Sequence, residues 1–137
     1  MIIDSNILVY SIDKLSQKHK KAQQFLEENI DDLEIAHQNI FETLRVITYP
    51  KLPNPMKLKD GVSAVERILN VSHIISPNWK THRIALELIK KYKLSSDLVF
   101  DAYLAATALS NGIHKIATDN IKDFQKFREL KIINPFA

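Results

Sequence analysis

Residues 1–10 read MIIDSNILVY. Three apolar residues run into a carboxylate, a short polar pair follows, and a second apolar run begins at Ile7. Two readings fit. In one, Asp4 or Ser5 caps a helix that starts near Asn6, because short oxygen-bearing side chains satisfy the free N–H groups of a first helical turn. In the other, Asp4 stands at the C-terminal edge of a first strand, where open α/β sheets bind their ligands. The stretch by itself does not choose between them, so the rest of the chain has to.

Beyond Tyr10 the chain alternates between helix and strand patterns. SQKHKKAQQFLEENI (16–30) carries Ala22, Phe25, Leu26 and Ile30 at helical spacing, and LEIA (33–36) predicts a second strand. QNIFETLRVIT (38–48) places Ile40, Leu44 and Ile47 on one helical stripe with Phe41 beside it. The prolines of YPKLPNP (49–55) end that helix. KDGVSAVERILN (59–70) resumes as a helix, SHIISP (72–77) predicts a third short strand, and THRIALELIKKYKL (81–94) is strongly amphipathic. SSDLVFDAYLAATALSNG (95–112) predicts another helix, capped by Ser95 or Ser96 and closed by Gly112. KIAT (115–118) and KIINP (131–135) predict strands around a short helix, IKDFQKF (121–127). This order predicts one α/β domain over residues 1–137, with a mostly parallel sheet covered by helices on both faces.

Composition removes several function classes. The absence of cysteine excludes disulfides, thiolate zinc sites and a cysteine nucleophile, and it suits a reducing cytoplasm. No apolar run reaches the length of a membrane span, and the N-terminus lacks the layout of a signal peptide. With glycine only at 61 and 112, a glycine-rich phosphate loop cannot be built. His19, His37, His73, His82 and His114 include no pair three or four apart, so no helical zinc pair exists. Trp79, after Pro77 and Asn78, reads as packing beneath a loop, with base stacking as its alternative.

The acids carry the chemistry. Asp4 ends the first strand, Glu42 lies in the helix after the second, and Asp101 lies early in its helix. Asp119 directly follows KIAT, with Asp123 four residues on. Asp101 shares a stripe with Leu104, Ala105 and Ala108, so it borders the core, where an unpaired charge is costly. Asp97, one turn earlier, extends that face. Each acid alone also reads as a cap or a surface charge, and Arg45 is placed to pair with Glu42 along its helix. Their recurrence at element ends that a parallel sheet gathers shifts the balance. Two like charges about 4 Å apart repel by roughly 4 kcal/mol at an effective dielectric near 20. Either some of these acids stay protonated or a divalent cation fills the space between them. With oxygen ligands only, that cation is Mg²⁺ or Mn²⁺.

MIIDSNILVYSID, FETLRVITYP, DLVFDAYLAATAL and IATDNIKDF, in that order and followed by INP, resemble the PIN domain, and more closely the VapC-type toxins of toxin–antitoxin pairs. The resemblance runs from Met1 to Pro135. It implies a PIN-like three-layer sandwich in which acids bind Mg²⁺ or Mn²⁺ to cut RNA. Asp4, Glu42 and Asp101 match three family acids, and either Asp119 or Asp123 is the fourth; Asp119 is favoured because it directly follows a strand. Asp4, Asp101 and Asp119 are then the metal ligands, Asn6 and Thr118 steady them, and Asp97 and Asp123 stand behind.

The family also implies an RNA substrate, a cognate antitoxin and a homodimer in the cytoplasm. The expected antitoxin has a basic, largely disordered tail that lies across an apolar groove walled by RVITYP and KAQQFLEENI and reaches Asp4, Glu42 and Asp101, and Arg45 grips an RNA phosphate or an acidic group of that partner. The net charge of +3 pulls weakly on nucleic acid; with four of the 16 acids masked by metal, 12 remain against 19 basic residues, a surface near +7. The alternatives are a non-catalytic PIN-like module that binds RNA or protein, or a housekeeping RNA-processing nuclease. An aspartyl-phosphate phosphatase would want a second Asp two residues after the first, where this chain has Asn6.

Overall fold

A computed structural model describes residues 1–137. Its strands are β1 (Ile2–Ile3), β2 (Glu34–Ala36), β3 (His73–Ile75), β4 (Lys115–Ala117) and β5 (Lys131–Ile133). The helices are α1 (Ser5–Ile12), α2 (His19–Glu28), α3 (His37–Ile47), α4 (Leu58–Leu69), α5 (Thr81–Tyr92), α6 (Leu98–Ser110) and α7 (Ile121–Phe124). The strands form one sheet in the order β3-β2-β1-β4-β5, and every pairing is parallel.

Short strands with alternating side chains feed two cores. Ile2, Ala36 and Ile116 face one side, where they join Leu88 of α5, the alanines of α6 and the Phe124–Phe127 pair. Met1, Ile3, Leu33, Ile35 and Ala117 face the other and join Ile7 and Leu8 of α1 and Ala22 of α2. A step of one residue along each strand therefore changes the core it feeds, as the pleat requires. The layers are helix, sheet, helix.

The middle of the sheet positions the site. β1 lies between β2 and β4, and the chain leaves it in one direction for β2 and returns on the other side through β4. Such a reversal opens a crevice at the C-terminal strand ends. α6 backs that crevice. Ala102, Leu104, Ala105, Ala106, Thr107 and Ala108 are all buried, so this helix is enclosed nearly all round between sheet and α5. Gly112, at φ 73°, ends it: Ile113 N–H bonds to Ala108 O and Gly112 N–H to Leu109 O, a Schellman closure.

Three local expectations change. Neither Ser95 nor Ser96 caps α6, because Asp97 holds the N-cap position without a side-chain cap bond and Ser96 takes a left-handed φ of 55°. α2 stops before Ile30, which lies in a 3-10 turn and is 43% exposed. Trp79 lies in the open at 69%, with Lys80 and Arg83 over its ring, and is not packed beneath a loop.

α4 braces the helix that carries Glu42. A Cβ at the buried Gly61 would stand 2.9 Å from Thr48 Cγ2, and Thr48 is held by its hydroxyl bond to Leu44 O at 2.7 Å. Gly61→Ala gains up to about 1 kcal/mol of helix propensity but overpacks this contact at a cost of about 1–3 kcal/mol. A lower melting temperature is expected, recovered when Thr48→Ser removes the methyl in the same chain. Calorimetry of the single and double variants checks this; a more stable Gly61→Ala single variant would show that α3 and α4 have room to spare.

Candidate active site

Asp4 answers both readings of the opening stretch. It directly follows β1, continues the sheet through its N–H to Ala117 O at 2.9 Å, and is the N-cap of α1 through the Ser5 N–H to its Oδ1 at 2.8 Å. Its Oδ2 accepts Thr118 Oγ1 at 2.7 Å and Asn6 Nδ2 at 3.4 Å. Asn6 is itself held, since its Oδ1 accepts Asp119 N–H at 3.3 Å. Burial pushes the Asp4 carboxyl above its usual range and Glu42 adds to the rise, while the bonds from Thr118 and Ser5 oppose it.

Glu42 reaches this centre because α3 begins immediately after β2, the strand beside β1. Ser5 Oγ donates to Glu42 Oε2 at 2.9 Å and lies 3.5 Å from Asp4 Oδ1, so one hydroxyl joins the two acids. Gln38, one helical turn before Glu42, donates to its Oε1 at 2.7 Å and to the Phe100 carbonyl at 3.3 Å, tying α3 to α6. Arg45 makes no ion pair with Glu42. It lines the same cavity instead.

That cavity, about 680 Å³, is bordered by Asp4, Glu42, Asp97 and Asp101, with Asn6 and Asn120 at its polar edge. Asp101 is half-buried on the Leu104–Ala108 face. Burial, then the charge of Asp123, then those of Asp4 and Glu42 raise its pKa to about 6 against the pull of Lys126. Asp123 accepts Asn120 Nδ2 at 2.7 Å.

Like Asp123, Asp119 does not border the cavity. Its Oδ2 accepts Tyr10 Oη at 3.0 Å and pairs with Lys18 Nζ, which also sits over the rings of Tyr10 and Phe136. The physical reason is the neighbourhood of α1: a lysine and a phenol reach the Asp119 carboxylate first. No local pattern announces a partner 101 residues away. Gln38 was legible in principle, because it stands four residues before Glu42 on one helix face. Phe100 and Asn120 have no sequence signal as site residues.

The carboxylates do not close into a ready-made cage of three ligands. What points to a divalent cation is the chemistry of the donor set. The donors are all oxygen, two of the acids are destabilised as anions, and each has a neighbouring acid's charge among the causes. A hard cation relieves that repulsion and matches this donor set.

Residues 1–130 match the PIN domain family. Ribonuclease VapC37 of Mycobacterium tuberculosis is 24% identical over 142 residues, across 99% of this chain and 97% of that protein. Among solved structures, VapBC2 from Rickettsia felis bound to a DNA fragment from its promoter superposes with a TM-score of 0.75 at 22% identity, covering 97% of this chain and 96% of that one. VapC20 of Mycobacterium tuberculosis, a Sarcin-Ricin loop cleaving toxin, superposes with a TM-score of 0.72 at 12% identity, covering 92% and 94%. The all-parallel sheet, the acids gathered at its reversal point and the match over residues 1–130 agree: this chain belongs to the PIN domain family.

Proposed function

We propose that this chain is a divalent-metal-dependent endoribonuclease, the toxin of a type II toxin–antitoxin pair, acting on RNA phosphodiester bonds in the cytoplasm as a homodimer. The single observation that carries the reading is the convergence of Asp4, Glu42 and Asp101 on one cavity at the C-terminal strand ends. The VapC relatives support it by likeness. Mg²⁺ or Mn²⁺ is the cofactor in this reading.

Asp4 and Asp101 would hold the cation, with Glu42 beside them. Neither Asp119 nor Asp123 lines the cavity; we propose Asp123 for the fourth position because Asn120, which does line it, donates to Asp123 at 2.7 Å, whereas Asp119 is engaged by Lys18 and Tyr10. Bound there, the cation supplies a more acidic water and charge relief at the attacked phosphate. The protein's own groups do the positioning. Thr118, Ser5 and Asn6 fix both oxygens of Asp4, and Gln38 and Ser5 fix Glu42. Arg45, on the cavity wall, grips a phosphate.

The antitoxin reading rests on a second surface. KAQQFLEENI contributes Gln23, Leu26 and Ile30 to a cavity of about 400 Å³, and RVITYP contributes Val46 and Ile47 to another of about 490 Å³. The two share Ile12, Lys14 and Met56, and we read them as adjoining, mostly apolar surfaces for a partner's tail. No helix of the chain is long and apolar enough to cross a membrane.

Asp101→Asn tests the site in two ways. It should abolish metal-dependent cleavage of a total RNA pool. It should also stabilise the metal-free protein. A carboxyl whose folded pKa is about 6 weakens the fold as pH climbs from 3.8 to 6, because the unfolded chain has already released the proton that the folded one still holds. The gain for Asn should be about 1–2 kcal/mol at pH ~7.5, after allowance for solvent screening, should fall to about a third of that near pH ~4.5, and should vanish below pH ~3. Wild-type cleavage in the folded variant would remove Asp101 from the mechanism.

Saturating Mn²⁺ should raise the melting temperature on the order of 10 °C, the shift that about 2.7 kcal/mol of binding energy gives a domain of this size. Asp4→Ala with Asp101→Ala should lose that response. An equal shift in the double variant would place the ion elsewhere.

A further inference from the structure

Beside the carboxylates the surface is unexpectedly aromatic. Phe41 on α3 and Phe100 on α6 are 66% and 60% exposed, although each belongs to a helix with a well-filled buried face. Both border the acidic cavity. Both also border an adjoining cavity of about 310 Å³, completed by His37, Gln38, Pro77 and Tyr103. That volume lies at the small end of ligand pockets, roughly 300–1,000 Å³. The two phenyl-bearing helices are joined by the Gln38 side chain, which donates to the Phe100 carbonyl at 3.3 Å, so the rims are held relative to one another. Gln38 Oε1, in the residue common to both cavities, has no hydrogen-bond partner within the protein.

We infer that Phe41 and Phe100 form a stacking subsite for an unpaired nucleobase next to the scissile phosphate. The inference rests on the ribonuclease reading and names the two side chains that would hold a base at that site. The physical need is specific to an acidic centre. Asp4, Glu42, Asp97 and Asp101 outnumber the charge of one divalent cation, so contacts that do not depend on phosphate charge add to the hold on RNA beside them. Stacking on aromatic faces is such a contact, and it requires a base freed from its duplex partner. Arg45 in the same cavity supplies the phosphate contact that sets register, while the phenyls supply the hold on the base.

The test uses a short unpaired RNA oligonucleotide, its duplex with a complementary strand, and a series in which one base-less ribose is walked along the unpaired strand. Binding is read by fluorescence anisotropy and cleavage by kcat and KM, for the wild type and for Phe41→Ala with Phe100→Ala. Both substitutions are at exposed positions and should leave the melting temperature near that of the wild type. The wild type should prefer the unpaired strand over the duplex. The double variant should bind the unpaired strand about 5- to 100-fold more weakly, the range that stacking of one base spans, with kcat largely kept. One base-less position should weaken the wild type by a similar factor and the variant by almost nothing.

Equal affinity of variant and wild type overturns the subsite. So does a variant that loses self-association in sedimentation while its monomer binds RNA as the wild-type monomer does, because the phenyls would then face a second copy of this chain. If the wild type binds the oligonucleotide and cuts no RNA with either metal, the nuclease reading falls, and the base-less series still decides the subsite.

Discussion

The Asp4 carboxylate is the constraint on which the rest of the site depends. It is buried at the end of the central strand, and a buried carboxylate persists only where donors surround it. Two segments supply those donors: the first turn of α1 gives the Ser5 N–H and Asn6 amide, and the residue after β4 gives the Thr118 hydroxyl. β4 must therefore pair with β1 in the register observed, Ile2 with Ile116 and Ile3 with Ala117, or Thr118 would miss its target. A slip of one residue would also exchange the two cores, since Ile116 and Ala117 face opposite sides. The register that buries apolar surface is thus the one that satisfies the acid.

Around that fixed point the site is built with opposing tendencies. Hydrogen bonds favour the Asp4 anion while burial and Glu42 disfavour it. Asp101 has burial and three acids against it and only Lys126 in its favour. Packing explains why it stays where it is: the turn that carries it is anchored by Leu104, Ala105 and Ala108, all buried, so the helix cannot rotate to release the charge without exposing its core face. Stability of the metal-free chain is given up locally to keep carboxylates together, which is the usual relation between a fold and a functional site.

Much of this was readable from residues alone. The strand–helix alternation, the proline break after α3, the Schellman glycine and the placement of Asp101 on an apolar stripe are local patterns, and local patterns survive into the structure. Asp4 was legible in both of its roles because one residue performs both, as strand end and helix cap. What stayed hidden depends on contacts between distant segments. The engagement of Asp119 by Lys18 and Tyr10 needs the loop after α1 to fold over the end of β4, and nothing near residue 119 encodes it. Ser96 escaped as well, since a serine in left-handed geometry carries no mark that separates it from a capping serine. Phe41, read only as standing beside an apolar stripe, and Phe100, given no reading, lie at the surface.

The central claim is that these acids form a mutually destabilised group that a divalent cation relieves. Carbon-detected NMR titration of the Asp and Glu carboxyls, with and without Mg²⁺, tests it most directly. In the metal-free protein Asp101 should titrate at about 6, and Asp4 above the ordinary aspartate value. Saturating Mg²⁺ should carry both well below that ordinary value, because a carboxylate facing a bound cation resists protonation. Carboxyls that titrate like those of free aspartate, unmoved by Mg²⁺, would contradict the account.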